Sequence, residues 1–209
     1  GQTTLTAGRN LTLGTVQTAD SHDIVWNAKN QRHDATTKEV GSNVAASGNL
    51  TLQASQDLTI RGSVLQSDLG QLQATAAGNV NIEAAQTHQT VDETHQTKVK
   101  GFLSSTTITT RDTADNTLNQ GSALSGNSVT VQAGQNLKAQ GGNIVSTQGN
   151  TALQAGQDVQ ILSAQDTQNQ SHSRSERKSG LSIGLQSGVG VGRSSTDQSQ
   201  QTLTTTQVG

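Results

Sequence analysis

Seven Asx residues in the sequence each stand immediately before a short apolar–polar alternation: Asn10, Asn49, Asp57, Asn79, Asn136, Asn143 and Asp158. Carboxylates gathered on one face could act as general acid and base in the cleavage of a polysaccharide. However, Asp57 and Asn79 are replaced by Asn136 and Asp158 at equivalent repeat positions, so the charge is exchangeable. Because Asx side chains bond to nearby backbone in turns, we interpret these residues as corner residues that each cap their own turn.

The five histidines are the other candidates for chemistry. His88 and His95 are seven residues apart, His22 and His33 are eleven apart, and the chain has no cysteine to complete a metal-ligand pattern. We interpret them as solvated residues, with a site shared between neighbouring segments as the alternative. The sequence has no nucleophile elbow, phosphate loop or calcium-binding nonapeptide. It therefore predicts no catalytic residue, no cofactor and no metal site.

The elements that would position these residues are short strands in the segment 48–85. Their leading apolar residues fall at 50, 58, 65, 72 and 80, so three steps return to the start after 22 residues. This period predicts an all-β fold, a parallel β-helix with three strands and about 22 residues per turn. We expect the following residues to stack inward on its second side: Leu58, Ile60, Val80, Ile82, Leu137 and Val159.

A long internal repeat supports this architecture. Leu50, Leu52 and Leu58 recur as Val129, Val131 and Leu137, all at the same shift along the chain. The coil should have about five turns and rise about 24 Å at the usual ~4.8 Å strand spacing. We expect residues 1–209 to form one repeat segment excised from a longer filament.

Three arms interrupt the coil, at residues 18–44, 87–124 and 166–205. We expect each arm to take the place of the third side of a turn, which Leu65 and Ile144 fill in alternate turns. All five histidines, 11 of the 15 acidic residues and 10 of the 13 basic residues lie in the arms. The coil is therefore predicted to be an almost uncharged shaft, and the arms to meet solvent or a partner.

Composition restricts the alternatives. The chain has no Cys, Pro, Met or Tyr, one Trp and one Phe, so only a narrow aliphatic core can form. The hydrophobic fraction of 29% alone would suggest disorder, but the net charge is only −2 and the apolar residues are periodic. The sequence shows no basic footprint for nucleic acid, no transmembrane helix and no signal peptide.

The arms have the length of β-hairpins, with midpoints near residues 30–31, 104–105 and 187–188. A hairpin is two strands wide, about 9.6 Å, which is also the rise of two turns of a β-helix. Since the arms leave on alternate turns, successive hairpins are predicted to pair edge to edge in one antiparallel sheet.

The third arm carries a candidate membrane-spanning strand. Leu181, Ile183 and Leu185 alternate with small or polar residues, and Val189 and Val191 continue the pattern over about 11 residues, the length of a membrane β-strand. The alternative is that this apolar face packs against a neighbouring arm. Phe102 and Trp26 lie in the other arms and complete the candidate membrane or partner contacts.

The repeated segments of the Ala-Gly-Asn-Leu-Thr-Leu-Gln-Ala type resemble the haemagglutinin repeats of filamentous haemagglutinin and of the contact-dependent inhibition toxins, the CdiA family. The resemblance implies a right-handed β-helical exoprotein, exported by an outer-membrane transporter in two-partner secretion. It also implies a location on the outer face of a Gram-negative cell and contact with a target or host cell surface or its outer membrane.

The expected function is therefore non-enzymatic. We predict a segment of a secreted filament that serves adhesion or toxin delivery and uses its arms for contact. A passive spacer and, less favoured, a carbohydrate-active β-helix enzyme are the alternatives.

Overall fold

The computed structural model describes residues 1–184 and 188–208, and the chain is all-β. Turn one contains β1 (Thr3–Ala7), β2 (Leu11–Leu13), β3 (Thr15–Asn27), β4 (Asn30–Gly41) and β5 (Asn43–Ala46). Turn two contains β6 (Leu50–Ala54), β7 (Leu58–Arg61) and β8 (Val64–Ser67). Turn three contains β9 (Gln71–Ala76), β10 (Val80–Glu83), β11 (Ala85–Gly101), β12 (Ser104–Gln120) and β13 (Ser122–Gly126). Turn four contains β14 (Ser128–Ala133), β15 (Leu137–Gln140) and β16 (Gly142–Ser146). Turn five contains β17 (Thr151–Ala155), β18 (Val159–Leu162), β19 (Ala164–Gly184) and β20 (Gly188–Val208).

The short strands stack in three parallel sheets, one on each side of the coil. Side one is β1-β6-β9-β14-β17, side two is β2-β7-β10-β15-β18, and side three is β5-β8-β13-β16. Leu50 pairs with Leu72 and Leu58 pairs with Val80, so the period predicted from the sequence is confirmed.

The core is a narrow column of aliphatic side chains inside the three sides. Leu58, Ile60, Val80, Ile82 and Leu137 are fully buried on side two, as expected. The prediction was wrong for Val159, which is 44% exposed. Val159 is paired with Leu137 on the last side-two strand described, and no described strand lies beyond it there to cover its side chain.

The hairpins leave the coil at the corner between sides two and three, and they do not replace side three. After the first hairpin the chain forms β5, in which Val44 pairs with Leu65, and after the second it forms β13, in which Leu124 pairs with both Leu65 and Ile144. In turns without a hairpin the same corner is closed by Gly62 and Gly141, whose positive φ angles of 53° and 61° suit glycine. The first two hairpins span residues 15–41 and 85–120, and the strands of the third are residues 164–184 and 188–208.

The three hairpins form one six-stranded antiparallel sheet, here called the hairpin sheet, in the order β3-β4-β11-β12-β19-β20. Neighbouring hairpins meet along β4 and β11, from Lys38–Thr87 to Gln31–Thr94, and along β12 and β19. The predicted edge-to-edge pairing is therefore confirmed. Where the hairpins overlap, it satisfies the backbone of β4, β11, β12 and β19 on both sides, although these strands have little apolar content.

Candidate contact site at the hairpin tips

The Asx residues before the side-two strands form a ladder along the coil. The backbone N–H of Asn79 donates to the Oδ1 of Asp57 at 2.7 Å, and the N–H of Asn136 donates to the Oδ1 of Asn79 at 3.2 Å. At one end of the ladder the N–H of Asp57 donates to the Oδ1 of Asn10, and at the other end the N–H of Asp158 donates to the Oδ1 of Asn136. The side-chain oxygens of four of these residues therefore bond to the next turn, which corrects the prediction that they cap their own turn: Asn10, Asp57, Asn79 and Asn136. These oxygens serve as structural acceptors, and a neutral amide serves as well as a carboxylate.

Each histidine lies beside one carboxylate in the hairpin sheet. The N···O distances run from 2.5 Å for His33–Asp23 and His172–Asp112 to 3.8 Å for His22–Asp20. The pair His172–Asp112 joins the third hairpin to the second. Among the described residues, no group of three potential ligands is placed to hold a metal ion.

Ion pairs also connect the strands of the hairpin sheet near its middle. Arg111 donates two hydrogen bonds to Asp92, at 3.0 and 2.7 Å, and these hold the pKa of the Asp92 carboxyl below its ordinary value. Arg32 bridges the first two hairpins through Glu93 at 3.3 Å. The Arg111–Asp92 pair therefore joins the two strands of the second hairpin, and the Arg32–Glu93 pair joins the first hairpin to the second.

A polar cavity of about 710 Å³ lies where the hairpins join the coil. Arg61, which lines it, bonds to Glu39 at 2.8 Å and to Glu83 at 3.1 Å. Burial raises the pKa of Glu39, but the Arg61 hydrogen bonds and the N–H of Gln86 outweigh it and hold that pKa below its ordinary value. Glu83, which lines the cavity, and Glu39 therefore both bond to Arg61, and the Glu39–Arg61 pair attaches the first hairpin to the coil.

The hairpins project to different distances, so that the distal edge of the sheet is a staircase. β11 continues for seven residues beyond its last pair with β4 at Thr94, or about 24 Å at ~3.4 Å per residue. The last residue of β19 that pairs with β12 is Gly180. β19 continues for four residues beyond it, which adds about 14 Å. The third hairpin is thus the outermost element of the sheet.

The tip of the first hairpin carries Trp26. The register between β3 and β4 shifts between Val25 and Asn27, which leaves Trp26 as a bulged residue. Its ring stacks on His95 of the second hairpin, with centroids 5.1 Å apart. Trp26 is 53% exposed, so one ring face closes the junction while the rest faces solvent.

The tip of the second hairpin is Phe102 and Leu103. Phe102 is 95% exposed, and Leu103 adopts a positive φ of 68° to close the turn. The carbonyl of Leu103 accepts a hydrogen bond from the N–H of Leu181 at 3.0 Å. This contact places the second tip directly beside the apolar part of the third hairpin.

The third hairpin pairs its apolar residues across the two strands. Leu181 pairs with Val191, and Ile183 pairs with Val189. Leu181 and Val191 are both exposed. Leu185 lies outside the described residues, as do the side chains of Ile183 and Val189. Leu181 is 39% exposed and Val191 is 76% exposed. For this face, both membrane contact and packing against a neighbouring arm stay predictions.

The structure thus places Trp26, Phe102, Leu181 and Val191 near the hairpin tips. Sequence reasoning missed Leu103, which follows Phe102 at the turn and is also exposed. The available signal was that Phe102-Leu103 sits at the centre of a long polar hairpin, where a hydrophilic turn is usual. An apolar turn of this kind is typical of a contact site.

Within the part of the chain that the structure describes, no helix could span a membrane. The sequence profile of one family, described as hemagglutinin repeat, matches residues 25–112 and 103–209. Comparison with curated proteins and with solved structures found no match.

Proposed function

Because the chain belongs to the hemagglutinin repeat family, we propose that it is a shaft segment whose hairpin sheet holds apolar tips against the surface of another cell. The family consists of secreted or surface-exposed adhesin-type repeats, a structural and non-enzymatic kind of domain. The observation that carries the proposal is the staircase of exposed apolar tips, which ends in Phe102, Leu103, Leu181 and Val191. Exposed apolar residues concentrated at one edge are typical of a protein or membrane contact.

The coil serves the tips as a rigid support. We propose that it is a right-handed parallel β-helix, because connections between parallel strands of one sheet are right-handed in nearly all proteins. Each hairpin is anchored at a corner of this coil and paired with its neighbours. The tips are therefore carried at set distances from the shaft.

We propose further that the segment is part of a longer filament of the contact-dependent inhibition type, on the outer face of the outer membrane. Two-partner secretion would supply the transporter that exports it. In such a filament the tips would engage the outer membrane of a target cell during toxin delivery. The repeats themselves would contribute contact and reach, without chemistry of their own.

Binding of the labelled chain to whole Gram-negative cells, measured by flow cytometry, tests the proposal. The double variant Phe102→Ser, Leu181→Ser should bind at least about tenfold more weakly, since burial of each side chain is worth about 1.5–3 kcal/mol. The control is Leu69→Ser, Leu203→Ser, which removes two apolar residues that are 79% and 70% exposed away from the tips.

Equal losses in the two double variants would contradict a role for the tips. Absence of binding by the unmodified chain would favour the passive spacer instead. Both variants change exposed residues, so their thermal unfolding should match that of the unmodified chain, and this measurement excludes misfolding as the cause of any loss.

A further inference from the structure

Four basic residues share one face of the hairpin sheet just inside its distal edge. Lys98 on β11 pairs with Thr107, Thr107 pairs with Arg177, and Arg177 pairs with Ser195 on β20. Residues paired across antiparallel strands project to the same face. Lys98 and Arg177 therefore lie in one row of the sheet, separated by a single threonine.

A second row lies two residues further out and therefore on the same face. It runs from Lys100 through Ser105 and Ser179 to Arg193. The two rows together define what we call the cationic face, made of Lys98, Lys100, Arg177 and Arg193. All four side chains are exposed.

Among the described residues, the four basic residues of the cationic face form no ion pairs, whereas most other basic residues of the sheet do. Five other basic residues form ion pairs, and these are Arg32, Arg61, Arg111, Arg174 and Lys178. Within residues 1–184 and 188–208, no carboxylate forms an ion pair with a basic group of the cationic face. The next acidic residue in register on this face is Asp197, two positions inward from Ser195. Four unpaired cations in two adjacent rows repel one another and favour an anionic ligand.

The groove over this face suits an oxyanion. It encloses about 450 Å³ and is lined by Lys98, Arg177 and Arg193 together with the hydroxyl-bearing Ser105 and Thr107. Guanidinium, ammonium and hydroxyl groups are the usual protein donors to phosphate oxygens. The chemistry of the face therefore matches a phosphate group.

The apolar tip lies directly beyond the cationic face. Leu181 and Val191 pair two positions further out than Ser179 and Arg193, and so lie on the same face about 7 Å away. The row of Lys98 and Arg177 is about 14 Å from that apolar pair. The polar headgroup layer of a bilayer is about 5–8 Å thick on each side, and long basic side chains reach across it.

We propose that the cationic face binds the phosphate groups of anionic lipid headgroups while the adjacent apolar tip enters the bilayer. This inference rests on the proposed function and names the surface that the tips contact. The order of the residues carries it, since cations stand at headgroup depth and apolar residues stand beyond them. A soluble polyanion would require the cations but not the apolar pair.

Vesicle co-sedimentation of the full chain tests the inference. We expect tight binding to phosphatidylcholine vesicles with about 30 mol% phosphatidylglycerol, weak binding to phosphatidylcholine alone, and release at about 0.5 M salt. The variant Lys98→Gln, Lys100→Gln, Arg177→Gln, Arg193→Gln should bind the anionic vesicles at least about tenfold more weakly. Each basic residue at such a surface contributes about fivefold, so tenfold is a conservative threshold.

A control variant removes the same number of charges elsewhere. Arg9, Lys29, Lys38 and Lys138 also lack ion pairs among the described residues and lie off the cationic face, and their Gln variants should change binding by no more than about threefold. Equal losses in the two quadruple variants would overturn the inference, because net charge would then explain the binding.

Three further outcomes separate this inference from the proposed function. In the first outcome, the chain binds neutral and anionic vesicles equally well, and the variant Phe102→Ser, Leu181→Ser loses this binding. That result would overturn the role of the cationic face and leave the tip contact intact. Binding to dextran sulfate and to cells but to no vesicle would overturn the proposal that lipid headgroups are the ligand, and would leave cell contact intact. Binding to neither vesicles nor whole cells would overturn both.

Discussion

Leu58→Ala tests the coil most directly. Leu58 is fully buried on side two, where it pairs with Leu11 in the turn below and with Val80 in the turn above. The substitution removes three carbon atoms, worth about 2.4 kcal/mol at ~0.8 kcal/mol each. A cavity that cannot close raises the cost of Leu→Ala toward ~5 kcal/mol. Backbone hydrogen bonds on both sides of β7 prevent closure, so we expect a loss of about 3.5–5 kcal/mol.

Urea unfolding followed by circular dichroism measures this loss. The matched control is Leu69→Ala, because Leu69 is 79% exposed at a corner of the same turn and should change stability by no more than about 0.5 kcal/mol. Stacked repeats can open locally, so amide exchange of β2, β7 and β10 should be measured in parallel. A loss below about 1 kcal/mol for Leu58→Ala would mean that Leu58 is not in the core and that the side-two register is wrong.

Three further results are expected. Gly62→Ala should lower the free energy of unfolding in urea by about 2 kcal/mol or more, because Gly62 has a φ of +53° and an added Cβ would overlap the side chain of Ala85. Gly192→Ala is the control and should be neutral, because an added Cβ there meets no neighbouring atom. Amides of Thr106–Thr110 should exchange as slowly as those of the coil, since β12 is paired on both sides; rapid exchange would mean that the hairpins are separate tethers. Glu39→Gln should destabilise the chain near pH 7, and the difference should shrink as the pH falls below 4.5. The folded-state pKa of Glu39 lies below its ordinary 4.5, so the contribution of the carboxylate is fully present above that value and is lost as the pH falls through the folded-state pKa. A difference in melting temperature that does not change with pH would refute this.

The coil could be predicted because sides one and two use strict alternation. Leu50 and Leu52 on side one, and Leu58 and Ile60 on side two, each place two apolar residues inward, and such pairs recur in the next turn. Side three after a hairpin was missed because β5 and β13 carry only a weak signal. The corner beside them depends on Ser122, which is buried and donates its hydroxyl to the carbonyl of Glu83 at 2.7 Å. A buried serine is not distinguishable from the many surface serines in a single sequence.

The contact site could be predicted only in part. Phe102 and Trp26 stand out because they are the sole aromatic residues. The cationic face does not stand out in the sequence, because Lys98 and Arg177 are far apart along the chain. They come together only through the register of β11, β12 and β19. A shift of one residue in any of these pairings would move one cation to the opposite face. That register depends on where each hairpin turns, which local sequence specifies only weakly here.

The hairpin sheet and the coil share a repeating unit of two turns, and this leads to the last prediction. Deleting residues 50–71 joins Asn49 to Leu72 and removes one hairpin-free turn, while the parallel register of the coil is kept, because Leu50 and Leu72 are equivalent. The first two hairpins would then leave on consecutive turns. Four strands would have to fit where the coil rises only about 4.8 Å between hairpins, whereas each hairpin needs about 9.6 Å.

We therefore expect this deletion to preserve exchange protection in the remaining coil and to abolish it for the amides of β4 and β11 that bond to each other. The amides that β4 directs to β3, and β11 to β12, should stay protected within their hairpins. Deletion of residues 50–128 is the control, because it removes two turns together with the second hairpin and brings β4 beside β19 at the original spacing. Protection of β4 should survive in that control. If the β4 amides directed to β11 stayed protected after removal of the single turn, the pairing of hairpins would not depend on the rise of the coil, and the two-turn unit would be wrong.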